Sequence, residues 1–259
     1  MRLLPYILSN STWKTVKQID YQVAVLPWGA TEAHNYHLPY GTDNIQSDYI
    51  SAEAARIAWE KGAKVVVLPT IPFGVNTGQL DIPLVINMNP STQGALLFDI
   101  VDTLFRQGIF KLVIINGHGG NDFRQMIREI QPNYQSMFIA TLNWYKIMPE
   151  TKLFEEPGDH GGEMETSNML HIAPELVLPL DEAGEGKAKK FKFHAIKAGW
   201  AWAQREWPAV SKDTGIGNPK HATAEKGKTY LKYITEQIGQ FLVEVASCDI
   251  NDLYEEARE

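Results

Sequence analysis

The sequence predicts an α/β protein with a mostly parallel central sheet. Short apolar runs rich in β-branched residues alternate with longer segments of helical periodicity, which implies crossover connections between parallel strands. The run at 65–68, Val-Val-Val-Leu, is apolar without alternation, as expected of a strand that is covered on both faces. At 259 residues, the chain is long enough for one large domain, and no linker or internal repeat divides it.

The individual elements follow from these patterns in chain order. Strands are predicted over 22–26, 64–68, 111–115 and 136–142, and helices over 48–61, 92–107 and 122–130. Beyond residue 150 the pattern loosens, and two further helices are predicted over 163–171 and 222–247, the latter from one apolar stripe.

Composition and charge exclude several classes of function. The net charge of −7 argues against a nucleic-acid partner, because phosphate binding requires a basic surface. No apolar run approaches the roughly 18 residues of a membrane helix, so no membrane partner is expected. A single cysteine, Cys248, fits a reducing compartment, and we expect a cytoplasmic protein.

The loop that follows the first predicted strand concentrates potential metal ligands. Glu32 and His34 are two residues apart, so in an extended loop they face the same way, and Asp43 returns after a Pro/Gly turn. Carboxylate oxygen with neutral imidazole nitrogen suits a borderline metal such as zinc, manganese or iron. The alternative is a solvated loop whose polar groups cap helices.

A second candidate segment follows the third predicted strand. His118 lies in the run 116–121, Asn-Gly-His-Gly-Gly-Asn, where the glycines leave room beside the imidazole. The carboxyl ends of parallel strands meet at one edge of a sheet, so this loop and the first are expected to share a site. A phosphate-binding loop is disfavoured, because neither nucleotide-binding glycine pattern is present. A buried structural histidine is the remaining alternative.

Three segments resemble motifs of the creatininase (creatinine amidohydrolase) family. The segment 29–43 is similar to the pattern Gly-x-x-Glu-x-His-Gly-x-His-Leu-Pro-x-x-x-Asp, with Asn35 in place of its second glycine. The segment 116–121 and the segment 160–167 resemble two later motifs. The resemblance covers 20–245 and implies a single creatininase-like domain over 1–259, folded as a three-layer α/β sandwich with two divalent metal ions per chain, zinc being favoured over manganese or iron.

The resemblance also implies a ligand set. Glu32, Asp43 and His118 would hold one ion, and His34, Asp43 and Glu163 the other, with the metals supplying the attacking hydroxide. The creatinine-cleaving enzyme has a glutamate two residues after the histidine that corresponds to His118. This chain has glycine there, so the missing ligand is expected from the later segment.

Two glutamates of that later segment compete for the role. If a helix begins near residue 162, Glu163 and Glu165 lie about 200° apart and cannot both face one metal pair. Glu163 is favoured as the ligand, whereas Glu165 would orient His160 or His34. His160 is then free to protonate the leaving nitrogen, a role that suits its ordinary pKa near 6.5 and that the family resemblance supports.

Substrate and assembly are less constrained. Residues 154–157 replace the gating tryptophan of the creatinine enzyme, and the loop 73–89 also departs from the family pattern, which makes creatinine itself doubtful. We therefore expect hydrolysis of a C–N bond in a small, non-peptide amide of cyclic or formyl type. The resemblance implies a homo-oligomer, and a hexamer is expected because family members commonly assemble into hexamers. The alternative is a metal-binding family member with a binding or sensory role and no turnover.

Overall fold

A four-stranded parallel sheet forms the centre of the computed structural model, which describes residues 4–257. Its strands are β1 (Val23–Trp28), β2 (Val65–Val67), β3 (Lys111–Asn116) and β4 (Phe138–Asn143), in the spatial order β2-β1-β3-β4. Every pairing between these strands is parallel. The predicted mostly parallel sheet is thus confirmed, and its four strands are those that the apolar runs indicated.

Eight α-helices surround or follow the sheet within the described residues. They are α1 (Trp13–Val16), α2 (Thr42–Glu60), α3 (Pro90–Arg106), α4 (Arg124–Ile130), α5 (Glu163–Ile172), α6 (His194–Lys197), α7 (Trp207–Val210) and α8 (Ala224–Ser247). None of the helices in this part of the chain is long and apolar enough to span a bilayer. The segment from α5 to α8 is mostly irregular, as the loosened sequence pattern predicted.

Two apolar cores make the fold three-layered. Alternate residues of β1 point to opposite faces: Val23 and Val25 pack in the core that includes side chains of α2 and α8, whereas Ala24 and Leu26 pack in the core of α3 and α4. All six residues of β1 are buried, because both faces of the sheet are covered. The predicted three-layer α/β arrangement is therefore confirmed.

The register of the central strands brings the two predicted site loops together. Trp28 pairs with Asn116 at the carboxyl ends of β1 and β3, and Asn116 pairs with Asn143 at the end of β4. The loops that leave β1 and β3 therefore start side by side at one sheet edge.

One helix boundary differs from its prediction in a way that concerns the site. Helix α2 begins at Thr42, six residues before the predicted start, and places Asp43 in its first turn. Polar residues at 42–44 resemble a loop in sequence, yet a carboxylate is favourable at a helix N-terminus. Gly29 permits the close approach, since a Cβ there would lie 2.9 Å from the backbone nitrogen of Asn44.

Candidate metal centre

The loop after β1 folds back on itself and presents Glu32 and His34 to one interior. The amide of Glu32 donates to the carbonyl of Tyr40, and His34 forms an antiparallel bridge with Leu38. This return directs the chain into α2, so that Asp43 lies close to His34 and Glu32, nine and eleven residues earlier in the chain. The predicted common orientation of Glu32 and His34 is thus realised by a closed loop.

Asp43 lies between two histidines that come from different loops. Its Oδ1 is 3.0 Å from Nε2 of His34, and its Oδ2 is 3.1 Å from Nδ1 of His118. Nδ1 of His118 is also 2.7 Å from Oε1 of Glu32. The two carboxylate oxygens of Asp43 therefore face two separate groups of potential ligands.

Two further side chains complete the cluster from the segment around the start of α5. Oε1 of Glu165 lies 3.9 Å from Nε2 of His34, and Nδ1 of His160 lies 3.9 Å from Oε1 of Glu32. All of these groups are at most 9% exposed. Three sets of ligand atoms are mutually close enough to hold a metal ion: Glu32, Asp43 and His118; His34, Asp43 and Glu165; and Glu32, His34 and His160.

Backbone carbonyls orient the three imidazole rings. Nδ1 of His34 lies 3.2 Å from the carbonyl of Glu32, Nε2 of His118 lies 3.0 Å from that of Val75, and Nε2 of His160 lies 2.7 Å from that of Ala33. Each ring donates its outer N–H to a carbonyl, which leaves the other nitrogen facing the cluster. The resulting tautomers suit metal ligation or proton transfer.

A buried amide network supports the His118 loop. The Oδ1 of Asn116 accepts from the amide of His118 and from Nδ2 of Asn121, and Oδ1 of Asn121 accepts from Gln93 and from the amide of Val75. Val75 is the residue whose carbonyl holds His118. Asn116 and Asn121 therefore both brace the loop that carries His118.

The electrostatics of the cluster favour a bound cation. Burial opposes a charge on His34, but Asp43, Glu165 and Glu32 outweigh it and raise its pKa to about 10. The same balance of burial against neighbouring carboxylates lifts the pKa of His118 well above its usual range. Burial also opposes ionisation of Asp43, yet the two histidines hold its pKa far below the usual value.

Among the described residues, no lysine or arginine pairs with the carboxylates of this centre. Within residues 4–257, every ion-pair partner of Glu32, Asp43 and Glu165 is a histidine. Buried carboxylates need a compensating positive charge, which protonated His34 and His118 supply in the metal-free protein and which metal ions can supply in their place. Imidazole with carboxylate is the donor set of zinc, manganese and iron sites. The residues present therefore fit divalent metal ions.

Glu163 does not join this cluster. Its Oε2 accepts from the amides of Glu155 and Glu156 at 2.8 and 2.7 Å, and its Oε1 accepts from Nζ of Lys226 at 2.5 Å. It is fully buried on the side of α5 that faces α8. The expected separation of Glu163 and Glu165 around the helix is correct, but the geometry brings Glu165, and not Glu163, to the metal-ligand groups, because Lys226 holds the latter elsewhere.

His37, three residues after His34 in the ligand loop, contacts α5. Its Nε2 lies 2.8 Å from Oγ1 of Thr166, next to Glu165. Burial, together with the charge of His34, lowers its pKa to about 4. A neutral His37 therefore links the ligand loop to α5.

Two side chains near the cluster belong to none of the sequence motifs, and the sequence did not indicate that they lie at the site. Gln79 donates from Nε2 to Oε2 of Glu32, and Trp207 packs against His160 with ring centroids 4.6 Å apart. Of the tryptophans in 199–208, Trp207 is buried, whereas Trp200 and Trp202 are 74% and 84% exposed.

A family comparison agrees with this geometry. The creatininase family model, described as creatinine amidohydrolase, matches residues 9–242. The chain belongs to the creatininase family. Family and fold support a metal-dependent amidohydrolase that acts on C–N bonds.

Curated relatives of this creatininase-family chain act on different substrates. Creatinine amidohydrolase of Pseudomonas putida is 26% identical over 60% of this chain and 66% of its own, just under two thirds of its length. The mycofactocin precursor peptide peptidase of Mycobacterium ulcerans is 26% identical over 84% of this chain and 80% of its own. Family membership alone therefore leaves the substrate undetermined.

Solved structures share the fold over nearly the whole chain. A Bacteroides fragilis protein, provisionally assigned as a creatinine amidohydrolase, is 44% identical with a TM-score of 0.92, covering 98% of this chain and 100% of its own. A glutamate-to-glutamine mutant creatininase of the Zn–Zn type is 25% identical with a TM-score of 0.74, covering 92% of this chain and 97% of its own. A manganese creatininase has a TM-score of 0.74 at 24% identity, covering 92% and 98%.

Proposed function

We propose that this protein hydrolyses a C–N bond in a small, non-peptide amide of cyclic or formyl type, with two divalent metal ions per chain. The observation that carries the proposal is the position of Asp43, whose two oxygens face His34 and His118 separately. A carboxylate in this position can bridge two ions, as two-metal hydrolases require. Zinc suits the mixed imidazole and carboxylate donors best, with manganese or iron as alternatives, and solved relatives of zinc and manganese type support the same choice.

The proposed ligand assignment follows the two groups around Asp43. Glu32 and His118 would complete one position, and His34 and Glu165 the other. Glu165 replaces Glu163 in this assignment, since only Glu165 lies near His34. Divalent ions held by these residues would supply Lewis acidity toward the carbonyl oxygen of the amide and toward the attacking water.

His160 is the proposed proton carrier. Its Nε2–H donates to the carbonyl of Ala33, so Nδ1 is the nitrogen that faces the cluster. In the metal-free protein, burial and the charge of His34 lower the pKa of His160, which favours the neutral ring whose Nδ1 can accept a proton. The same nitrogen can then donate that proton to the departing amine, which is the role expected of a general acid.

Trp207 keeps that ring in place and limits the access of water. It covers one side of His160 and receives the guanidinium of Arg205 over its own ring at 4.9 Å, while Arg205 pairs with Asp159 at 2.8 Å. An aromatic side chain therefore lies beside His160 even though residues 154–157 lack a tryptophan. The burial of the whole cluster favours a small substrate over an extended peptide.

The test is a metal count followed by a substrate screen. Protein purified without a metal-affinity tag is expected to contain about two equivalents of zinc, manganese or iron, and Asp43→Asn is expected to lose both. Loaded enzyme is then assayed against creatinine, other cyclic amides, formamides and short peptides. Cleavage of peptides alone would overturn the non-peptide assignment, and two bound metals without any turnover would favour the binding or sensory alternative.

Absence of bound metal after reconstitution would contradict the proposed metal-dependent hydrolysis. Asn44→Ala is a suitable control for the Asp43 variant, because Asn44 lies in the same helical turn but hydrogen-bonds to Thr31 and Pro72 outside the cluster. It is expected to keep the full metal content.

A further inference from the structure

Gln79 contacts a proposed metal ligand from a loop that has no ligand of its own. The loop connects β2 to α3, and Gln79 is 2% exposed within it. Its Nε2 donates to Oε2 of Glu32, 47 residues earlier in the chain. The side chain therefore reaches the cluster from outside the segments that carry the family motifs.

The contact divides the two oxygens of Glu32 between different partners. Oε1 faces Nδ1 of His118 at 2.7 Å, whereas Oε2 is taken by Gln79. Asp43 differs, because both of its oxygens face histidines. Glu32 can thus offer one oxygen to a metal, and Asp43 can offer two.

Glu165 is restricted in the same way, but by a different kind of donor. Its Oε2 accepts from the backbone amide of Gly161, which leaves Oε1 toward His34. A backbone amide therefore holds Glu165, whereas a side chain, which can be substituted, holds Glu32. The two metal positions differ in how their glutamates are supported.

Hydrogen bonds hold the loop around Gln79 in place. The amide of Gln79 donates to the carbonyl of Asn76, and the amide of Ile82 donates to that of Gln79. The carbonyl of Gly78 accepts from the amide of Trp207, which packs on His160. A turn and a tertiary contact thus fix the residues around the amide group.

An amide is chemically suited to this position. It satisfies a buried carboxylate oxygen with an N–H and adds no positive charge that would compete with a metal ion, as lysine or arginine would. Oε1 of Gln79 has no hydrogen-bond partner among residues 4–257, although it is buried. Unsatisfied buried groups are rare and costly, so a packing role alone would favour an apolar residue here.

We propose that Gln79 is a positioning residue that restricts Glu32 to a one-oxygen ligand and so supports one of the two metal positions selectively. The inference rests on the two-metal function proposed above. It assigns the Glu32/His118 position a dependence on a side chain that the His34/Glu165 position does not share.

The test uses Zn²⁺ alone on the metal-stripped full-length chain, in competition with a chromophoric chelator. Gln79→Met removes the donor at similar size. One of the two equivalents is expected to bind about 10–100-fold more weakly, as for other partners of ligating groups, with the other unchanged. Co²⁺ substitution gives a second readout, in which the visible absorption of one bound ion is expected to change and that of the other to persist.

A matched control lies in the same loop. The hydroxyl of Thr77 donates to Gln204 and not to any proposed ligand, so Thr77→Val is expected to bind both equivalents as the unaltered chain does. If thermal unfolding shows that Gln79→Met does not fold, Gln79→Asn replaces it. That variant keeps the amide but withdraws it by one methylene, and the same weaker binding of one equivalent is expected.

The outcomes separate this inference from the function on which it rests. Unaltered protein that fails to bind two equivalents contradicts the two-metal proposal itself. Unaltered protein that binds two, with Gln79 variants that bind both equally well or lose both to the same extent, overturns the selective role of Gln79.

Discussion

Lys226 holds Glu163 on the face of α5 opposite to the metal-ligand cluster. The two side chains are 2.5 Å apart, and Glu163 also accepts from two backbone amides of the preceding loop. Glu165, two residues later, faces His34. The first turn of α5 therefore carries two carboxylates with different roles. Glu163 forms an ion pair with α8, whereas Glu165 lies beside the potential metal ligands.

The first prediction separates these two glutamates. Glu165→Gln is expected to lose one of two bound metal equivalents, because its free oxygen faces His34. Glu163→Gln is expected to retain both and to lower the free energy of unfolding by about 1–3 kcal/mol, since it weakens charge-assisted hydrogen bonds in a buried position. Metal analysis and chemical denaturation of both variants provide the measurement. Loss of metal from the Glu163 variant alone would restore Glu163 as the ligand.

The second prediction concerns His160. His160→Gln is expected to lower kcat by about 10²–10⁴-fold, which is the usual contribution of a general acid, and to leave both metals bound. The metal count matters because His160, Glu32 and His34 form a third group of ligand atoms that are close enough to hold a metal ion. A variant that loses an equivalent of metal would identify His160 as a ligand, and one with full activity would remove its proposed role.

The sequence predicted the parts of this protein that depend on local pattern. The strands follow from β-branched runs, and Glu32, His34, Asp43 and His118 follow from loops at the ends of adjacent strands. The facing direction of α5 did not follow, because it depends on Lys226, 63 residues from Glu163. Helical geometry showed that Glu163 and Glu165 diverge, but a distant partner decides which of them reaches the site.

The same limit applies to Gln79 and Trp207. Each acts on a predicted site residue across 47 positions of chain, and neither belongs to a motif. A polar side chain in an irregular loop gives no sequence signal of burial. The contacts that support the site therefore depend on the three-dimensional arrangement of the loops and not on local sequence.

The third prediction concerns protons that a metal must displace. In the metal-stripped protein, the pKa of His34 is raised to about 10 and that of His118 lies well above its usual range, so both rings carry protons at neutral pH. Metal binding requires their neutral forms and is expected to release protons. The apparent affinity for Zn²⁺ should therefore rise with pH between 6 and 8, by about tenfold per pH unit for each proton released.

Isothermal titration in two buffers of different ionisation enthalpy measures the release directly. His221, which is exposed and lies outside the cluster, offers a control through His221→Gln, for which the released number of protons should not change. A pH-independent affinity with no proton release would contradict the electrostatic description of the cluster.

The last prediction concerns Asn35, which stands where the family pattern has glycine. Its φ of +54° is tolerated by asparagine and glycine, and its side chain both donates to and accepts from the backbone of Gly184. Close contacts with Gly161 and Gly215 leave room for this side chain only because those positions lack a Cβ. The asparagine thus ties the ligand loop to the segment around Gly184, and its side chain lies against Gly161 and Gly215.

Replacement of Asn35 should separate the backbone effect from the hydrogen bonds. Asn35→Gly removes the two bonds to Gly184 and the one that Oδ1 accepts from the amide of Tyr36, but keeps the favourable conformation, and is expected to cost about 1–2 kcal/mol of unfolding free energy. Asn35→Ala removes the same bonds and adds the strain of a positive φ, so it should be less stable than the glycine variant by about 1 kcal/mol. Denaturant unfolding of the three proteins in metal-free buffer measures the order. An alanine variant as stable as the glycine variant would show that the left-handed conformation of residue 35 is not required.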